Sequence, residues 1–134
     1  MKQTITPETN INDLKEMFVS FGYECSDLND EGLLLKARNI NVRVSITNGK
    51  NIMFLSSFIL KADIPLIDAL TKANEINYAL PSGNIAYKDG HFLFCFSLIR
   101  PFGMGIKGLE SFINYHLGLL PYIIEHHNLA EMTK

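Results

Sequence analysis

The sequence has few cysteines, no long apolar run and no cluster of basic residues. Its two cysteines are far apart and neither belongs to a CxxC pair, so a disulfide framework is not expected. No charge-free apolar stretch approaches the roughly 20 residues that a membrane-spanning helix needs, and residues 1–7 lack the apolar core of a signal peptide. The 12 basic and 14 acidic residues are dispersed, whereas nucleic-acid binding needs a concentrated basic face. We therefore expect a soluble, cytoplasmic protein with neither a membrane nor a nucleic acid as partner.

The side chains that usually carry chemistry are also poorly arranged for it. His116, His126 and His127 form no HxxxH or HExxH pair, so a zinc site is not expected, and a solvated polar helix face explains them. Cys95 lies in a very apolar strand, and Cys25 has acidic neighbours that raise a thiol pKa. No GxSxG motif surrounds a serine. We predict no catalytic residues, no metal and no cofactor, and hence a protein that is not an enzyme.

The chain is long enough and apolar enough to form a compact core. With 134 residues, of which 47% are hydrophobic, residues 1–134 are predicted to form a single domain. Asn10 and Asp13 are suited to capping a first helix that ends at Gly22. The apolar periodicity then gives the element order α-β-β-β-α-β-β-α. The fold class is therefore α+β.

Two tight hairpins predict that the sheet is antiparallel. They are Asn48-Gly49 and Asp89-Gly90, both typical of type I′ turns. The first and last helices are expected to cover one face of this sheet. The last helix contains Pro121, which predicts a kink or a break near Leu117.

Two strands are apolar on both sides, which is unusual for a sheet with only one covered face. They run over residues 52–60 and 92–99. A second cover is needed, and exposed apolar patches of a few hundred Å² usually mark interfaces. We expect a homodimer contact, a groove for a partner protein, or both; a second layer formed by the middle helix and loops is the alternative. The predicted interface residues are Met53, Leu55, Ile59, Leu93 and Ile99.

The loop after the second of these strands has the spacing of a dinucleotide-binding fingerprint. Gly103, Gly105 and Gly108 match GxGxxG, and a strand precedes them while a helix follows. The motif also requires a second parallel strand that ends in an acidic residue, and only 26 residues remain after Gly108. We therefore predict a structural role for Gly103 and Gly105, which would permit a sharp strand-to-helix turn and close backbone packing.

The middle helix carries two amides on its predicted apolar stripe. Ile67 and Leu70 begin the stripe, and Asn74 and Asn77 continue it at helical spacing. Buried amides cost free energy unless they are paired. We predict that both asparagines tie the helix to neighbouring backbone, with contact to a partner as the alternative.

Several of these motifs together resemble one protein family. The segment Ala73-Asn74-Glu75-Ile76-Asn77-Tyr78, the hairpin Tyr87-Lys88-Asp89-Gly90-His91, the helix start Gly105-Ile106 and the element order are similar to YbjN-type bacterial proteins. The resemblance covers roughly Leu14 to Ile124. Those proteins resemble class I type III secretion chaperones in fold, and they are described as candidate sensory transduction regulators, a label without a defined chemistry.

The resemblance implies a secretion-chaperone-like domain that dimerises and binds an extended or partly unfolded protein segment. The function predicted is therefore a non-enzymatic, chaperone-like or regulatory protein-binding module that acts as a homodimer. The alternative is a small-molecule-binding regulatory domain, with a pocket between the sheet and the last helix near Phe94, Tyr115 and Tyr122.

Overall fold

The computed structural model describes residues 1–47, 51–100 and 104–134. In these ranges it contains a six-stranded sheet, a two-stranded sheet, three α-helices and a short 3-10 helix. The α+β class with an antiparallel sheet is confirmed. The elements are β1 (Thr4–Ile5), α1 (Ile11–Ser20), β2 (Glu24–Asn29), β3 (Gly32–Ala37), β4 (Ile40–Ile46), β5 (Asn51–Ile59), α2 (Leu66–Ala79), β6 (Asn84–Lys88), β7 (His91–Ile99), β8 (Met104–Gly105), α3 (Ile106–His126) and the 3-10 helix Leu129–Glu131.

The large sheet has the strand order β2-β3-β4-β5-β7-β6, and every neighbouring pair is antiparallel. The predicted hairpin at Asp89-Gly90 is confirmed, because Lys88 pairs with His91 and both turn residues have positive φ. A second turn of this kind, at Arg38-Asn39, joins β3 to β4. The predicted turn Asn48-Gly49 lies outside the described residues. β4 and β5 pair antiparallel on either side of it.

Strand β2 is the main element that the sequence did not predict. The predicted element order has three strands between the first two helices, whereas the structure has four; the additional strand, β2 (Glu24–Asn29), pairs with β3. Most of its side chains are exposed because it is an edge strand. An edge strand of this kind lacks the apolar alternation by which strands are detected in a sequence.

One face of the sheet and the three helices form the core. On β5 and β7 the even-numbered side chains point into it, and the rings of Phe54 and Phe96 stack with centroids 4.8 Å apart. Burial of such side chains contributes roughly 1.5–3 kcal/mol each. The residues buried from α1 and α3 include Leu14, Met17, Phe18, Leu109, Ile113, Leu117 and Leu120. The first and last helices therefore cover one sheet face, as predicted.

Helix α1 begins and ends as its sequence indicates. The Asn10 side chain accepts a hydrogen bond from the Asp13 backbone N–H at 2.9 Å, and the Asp13 carboxylate accepts one from the Asn10 N–H at 3.1 Å. This capping box satisfies two donors that a helix start leaves free. Gly22, with φ +84, follows the last turn and supplies the left-handed residue that stops the helix.

Helix α2 uses a different face from the one predicted. Ala69, Ala73 and Ile76 are its buried residues, whereas Ile67 and Leu70 are 68% and 46% exposed. The helix packs along β6 at the edge of the same core, and small alanines allow that close approach. The predicted stripe through Ile67 and Leu70 is therefore wrong: Ala69, Ala73 and Ile76 face the core, and the neighbouring Asn77 is held to the Ile85 backbone by two hydrogen bonds.

Helix α3 is not interrupted at its proline. It runs as one helix of 21 residues from Ile106 to His126, with Pro121 inside it. The expected break near Leu117 does not occur. Pro121 is exposed, while Leu117, Leu120 and Ile123 are buried. Packing of this stripe on the sheet outweighs the hydrogen bond that a proline removes.

Candidate binding face

The second face of the large sheet is formed by the odd-numbered side chains of β5 and β7 and their neighbours in register. We call this surface the open face. The five predicted interface residues all lie on it: Met53, Leu55, Ile59, Leu93 and Ile99. Ile99 is 73% exposed and Ile59 52% exposed, while Leu55 and Leu93 are half-buried. No described helix covers this face, so the part of the alternative that placed the middle helix over it is wrong.

The strand register arranges the open face in rows that run across the strands. One row joins Leu34, Arg43, Leu55 and Cys95, which are consecutive partners from β3 to β7. Directly paired side chains on one sheet face lie about 5 Å apart. The sequence analysis did not include Leu34 and Arg43 among the predicted interface residues. The strand alternation in residues 32–37 and 41–47 could have placed both on this face.

A groove of about 780 Å³ lies on this part of the open face. All of its lining residues belong to strands. They are Glu24, Cys25, Ser26, Leu34, Leu35, Lys36, Asn41, Val42, Arg43, Leu55, Ser57, His91 and Leu93. Leucines alternate there with hydroxyl, amide and charged groups. The lining therefore suits a partner that has both apolar and polar groups.

The charges of the open face are mostly positive. Lys36 stands opposite Glu24 in the register of β2 and β3. Arg43 is exposed and makes no salt bridge with any residue in the described ranges. Lys88 adds a cation at the end of β6 beside His91. The face thus has more cations than anions in a chain of net charge −2.

Neither cysteine is activated as a nucleophile. Burial raises the pKa of the Cys95 thiol, which lies on the open face in register with Leu55. Burial also raises the pKa of the Cys25 thiol; nearby Lys15 lowers it and Asp27 raises it further. A raised pKa reduces the thiolate fraction on which reactivity depends. Within the described ranges, no three His, Cys, Asp or Glu side chains are placed to share a metal ion.

His116 is buried, and its predicted place on a solvated helix face is wrong. The residue is 4% exposed, and its ring stacks on Phe96 with centroids 4.4 Å apart. Nδ1 lies 2.8 Å from the Phe112 carbonyl oxygen, which only accepts, so Nδ1 carries the proton. Ser82 Oγ, 2.7 Å from Nε2, then donates to it. Burial lowers the pKa of His116.

A serine hydroxyl next to an imidazole, as in the Ser82–His116 contact, can act as a nucleophile and a base. The surroundings of this pair, however, indicate a structural role. The imidazole is oriented by a backbone carbonyl and is enclosed by Phe96 and Phe112. Neither Ser82 nor His116 lines the groove. The contact connects the loop after α2 to the middle of α3.

The two asparagines of α2 have different environments. Asn77 Oδ1 accepts from the Ile85 N–H at 2.7 Å, and its Nδ2 donates to the Ile85 carbonyl at 2.8 Å. Ile85 lies in β6, an edge strand, so this amide binds the backbone as a neighbouring strand would. Asn74 is exposed and makes no such contact in the described part of the chain. The tie to backbone is thus seen at Asn77 and not at Asn74.

The glycine-rich loop is partly outside the described residues, as is Gly103 itself. Gly105 pairs with Thr4 of β1, and α3 begins at the next residue. Its φ is −75° and a Cβ there would contact nothing within 4 Å, so close packing does not require a glycine at this position. β7 is antiparallel to both of its neighbours, which removes the parallel pair that a dinucleotide fold needs.

The residues of the alternative ligand pocket do not line the groove. Phe94 is fully buried in the core, and Tyr115 and Tyr122 are about half exposed on α3. The groove lies on the opposite face of the sheet.

No helix in the described ranges is long and apolar enough to cross a membrane.

Comparison with known proteins agrees with this architecture. No known family profile matches the chain, and no curated protein matches it in sequence. The crystal structure of YbjN from E. coli, a candidate transcription regulator, is similar to this chain with a TM-score of 0.76. The likeness covers 98% of this chain and 99% of that one, at 12% sequence identity. It shows that the chain has the YbjN-like α+β fold.

Proposed function

We propose that the protein is a non-catalytic binding module whose open face takes a segment of another protein. The observation that carries this proposal is the exposure of Met53, Ile59 and Ile99 beside a groove on a sheet face that no described helix covers. Exposed apolar side chains gathered on one sheet face are typical of an interface. A regulatory or chaperone-like role would use the same contact.

The size of the open face supports a protein partner. β5 has nine residues and the sheet six strands. At about 3.3 Å per residue and about 4.8 Å between strands, the face measures roughly 30 by 24 Å, or about 700 Å². A standard interface buries about 800 Å² on each partner. One face of this sheet is therefore nearly large enough for a standard protein–protein interface.

Site-specific photo-crosslinking in the native cell tests the proposal. A photoreactive phenylalanine analogue replaces Met53 or Leu55 on the open face, and Lys107, an exposed residue of α3, serves as the control position. We expect adducts with another polypeptide from the two open-face positions only. Equal yields at Lys107, or adducts at neither open-face position, would refute the proposal.

We also propose that the protein acts as a homodimer, and that a second surface forms the contact between copies. Leu66, Ile67 and Leu70 form an exposed stripe on α2, which we call the α2 stripe. Pairing this stripe with that of a second copy would leave both open faces free. Light scattering should give the dimer mass for the wild type and the monomer mass for Ile67→Glu. A monomeric wild type would contradict this part.

A small-molecule ligand is the second candidate, favoured by the groove volume of about 780 Å³. Ligand pockets commonly measure about 300–1,000 Å³. A specific ligand would raise the melting temperature by mass action. A thermal-shift screen of metabolites tests this candidate. A metabolite that binds in the groove should raise the melting temperature of the wild type and should lose this effect in the variant Leu55→Asp.

A further inference from the structure

Arg43 occupies the centre of the open face. Its register partners on the two sides are Leu34 of β3 and Leu55 of β5. The Cβ atoms of these two leucines lie about 5 Å from that of Arg43, so apolar side chains stand on both sides of an arginine that is itself exposed. A carboxylate that pairs with the guanidinium therefore has apolar surface next to it.

No group of the described residues neutralises this cation. The salt bridges described are Lys2–Asp13, Lys15–Asp27 and Lys72–Glu75, all away from the open face. Glu24, the one acidic side chain of the groove lining, has Lys36 as its register partner. A positive charge at the groove centre is therefore left for an occupant to neutralise.

The charge of the face argues against a second copy as its occupant. A symmetric contact centred on the groove would bring Arg43 and Lys36 of one copy near the same cations of the other. Like charges placed together in an interface cost free energy and discourage that pairing. An occupant with a complementary charge avoids this cost.

The apolar groups define the rest of the occupant. Leu34, Leu55 and Leu93 line the groove on both sides of the cation, and Asn41 and Ser57 contribute an amide and a hydroxyl. Apolar side chains gain from contact with these leucines. A carboxylate gains two parallel hydrogen bonds from a guanidinium. Protein segments that combine an aspartate or glutamate with apolar neighbours supply both.

Resting on the function proposed above, we propose that the open face binds a protein segment in which apolar side chains flank a carboxylate, with Arg43 as the anchoring cation. The carboxylate pairs with the guanidinium while the apolar neighbours lie over the groove leucines. Recognition thus depends on sequence as well as on general hydrophobicity.

Selection from a random peptide library tests this inference on the full-length protein. Peptides about 10 residues long are sufficient, because the groove lining comes from five strands, which span about 19 Å at about 4.8 Å between strands, and an extended residue covers about 3.3 Å. We expect enrichment of peptides with aspartate or glutamate between apolar residues. For an enriched peptide, Arg43→Gln should weaken binding about tenfold or more, because hydrogen bonds to charged groups contribute roughly 1.5–3 kcal/mol.

Two control variants make the outcome specific. Lys107→Gln removes an exposed cation of α3, outside the open face, and should leave binding unchanged. Leu55→Asp should abolish binding of every enriched peptide. Circular dichroism and urea unfolding check that Arg43→Gln folds normally, which is expected for an exposed side chain without a partner in the described chain.

The possible results separate this inference from the proposed function. Enrichment of apolar peptides without acidic residues, lost in Leu55→Asp, would keep the binding function and overturn the role of Arg43. An acidic preference that survives in Arg43→Gln would overturn it as well. Peptides that bind the Leu55→Asp variant equally well would contradict both.

Discussion

Replacement of Asn77 by alanine should destabilise the protein, although Asn77 lies on a helix surface. The amide makes two hydrogen bonds, of 2.7 and 2.8 Å, with the backbone of Ile85. Each contributes about 0.5–1.5 kcal/mol, while alanine regains about 0.5 kcal/mol of helix propensity. We expect a net loss of about 1–2 kcal/mol in the free energy of unfolding.

Asn74→Ala is the matched control for this change. Asn74 is in the same helix and is exposed, without a contact of this kind in the described chain. Its replacement should leave stability unchanged or raise it by about 0.5 kcal/mol through helix propensity. Both variants remove the same amide from the same helix, so their difference isolates the tie to β6.

Urea unfolding followed by far-ultraviolet circular dichroism measures both variants. With a slope of roughly 1–3 kcal/mol per molar urea for small proteins, Asn77→Ala should lower the midpoint by about 0.5–1 M. Equal midpoints for the two variants would refute the reasoning. So would a stabilised Asn77→Ala, because helix propensity alone would then account for both.

Two further predictions concern the core around β7. Burial lowers the pKa of His116 below its unfolded value of about 6.5, so the unfolded chain binds the proton first as the pH falls. This contribution of His116 to stability is complete above about pH 6.5 and is lost as the pH falls through the folded pKa. The variant His116→Gln should therefore show a smaller change in urea midpoint between about pH 7.5 and pH 5 than the wild type. An equal change in the two proteins would contradict the role given to His116. Gly83→Ala should cost more stability than Gly90→Ala in urea unfolding. Both glycines have positive φ, so the backbone strain of the substitution is similar. A Cβ at Gly83 would lie 2.9 Å from the Phe94 ring and 3.0 Å from the Cys95 carbonyl oxygen, whereas a Cβ at Gly90 would have no neighbour within 4 Å. Equal losses of stability in the two variants would be inconsistent with close packing at Gly83.

Local sequence signals were sufficient wherever one short segment decides its own structure. The capping box of Asn10 and Asp13 and the turn Asp89-Gly90 each depend on a few consecutive residues. The two faces of β5 and β7 follow from the strict alternation of a strand. The same alternation is enough to place Met53, Leu55, Ile59, Leu93 and Ile99 on one side of the sheet. Their role as an interface stays a prediction.

The sequence was misleading where distant segments compete for the same space. Strand β2 forms because the edge of β3 offers backbone partners, although its own side chains are polar and exposed. Helix α2 turns its alanines to β6 and leaves Ile67 in solvent. His116 enters the core because Ser82 and the Phe112 carbonyl satisfy both of its ring nitrogens.

The sequence by itself determined the α+β class, the antiparallel hairpins and which side chains share a face of each central strand, because these depend on periodicity and turn chemistry within a few residues. Only the tertiary structure decided which face stays open, since that depends on where three helices far apart in sequence pack. It also brought Arg43 between Leu34 and Leu55, which are separated along the chain and become neighbours through strand register. The charge at the centre of the groove is therefore a property of the folded sheet.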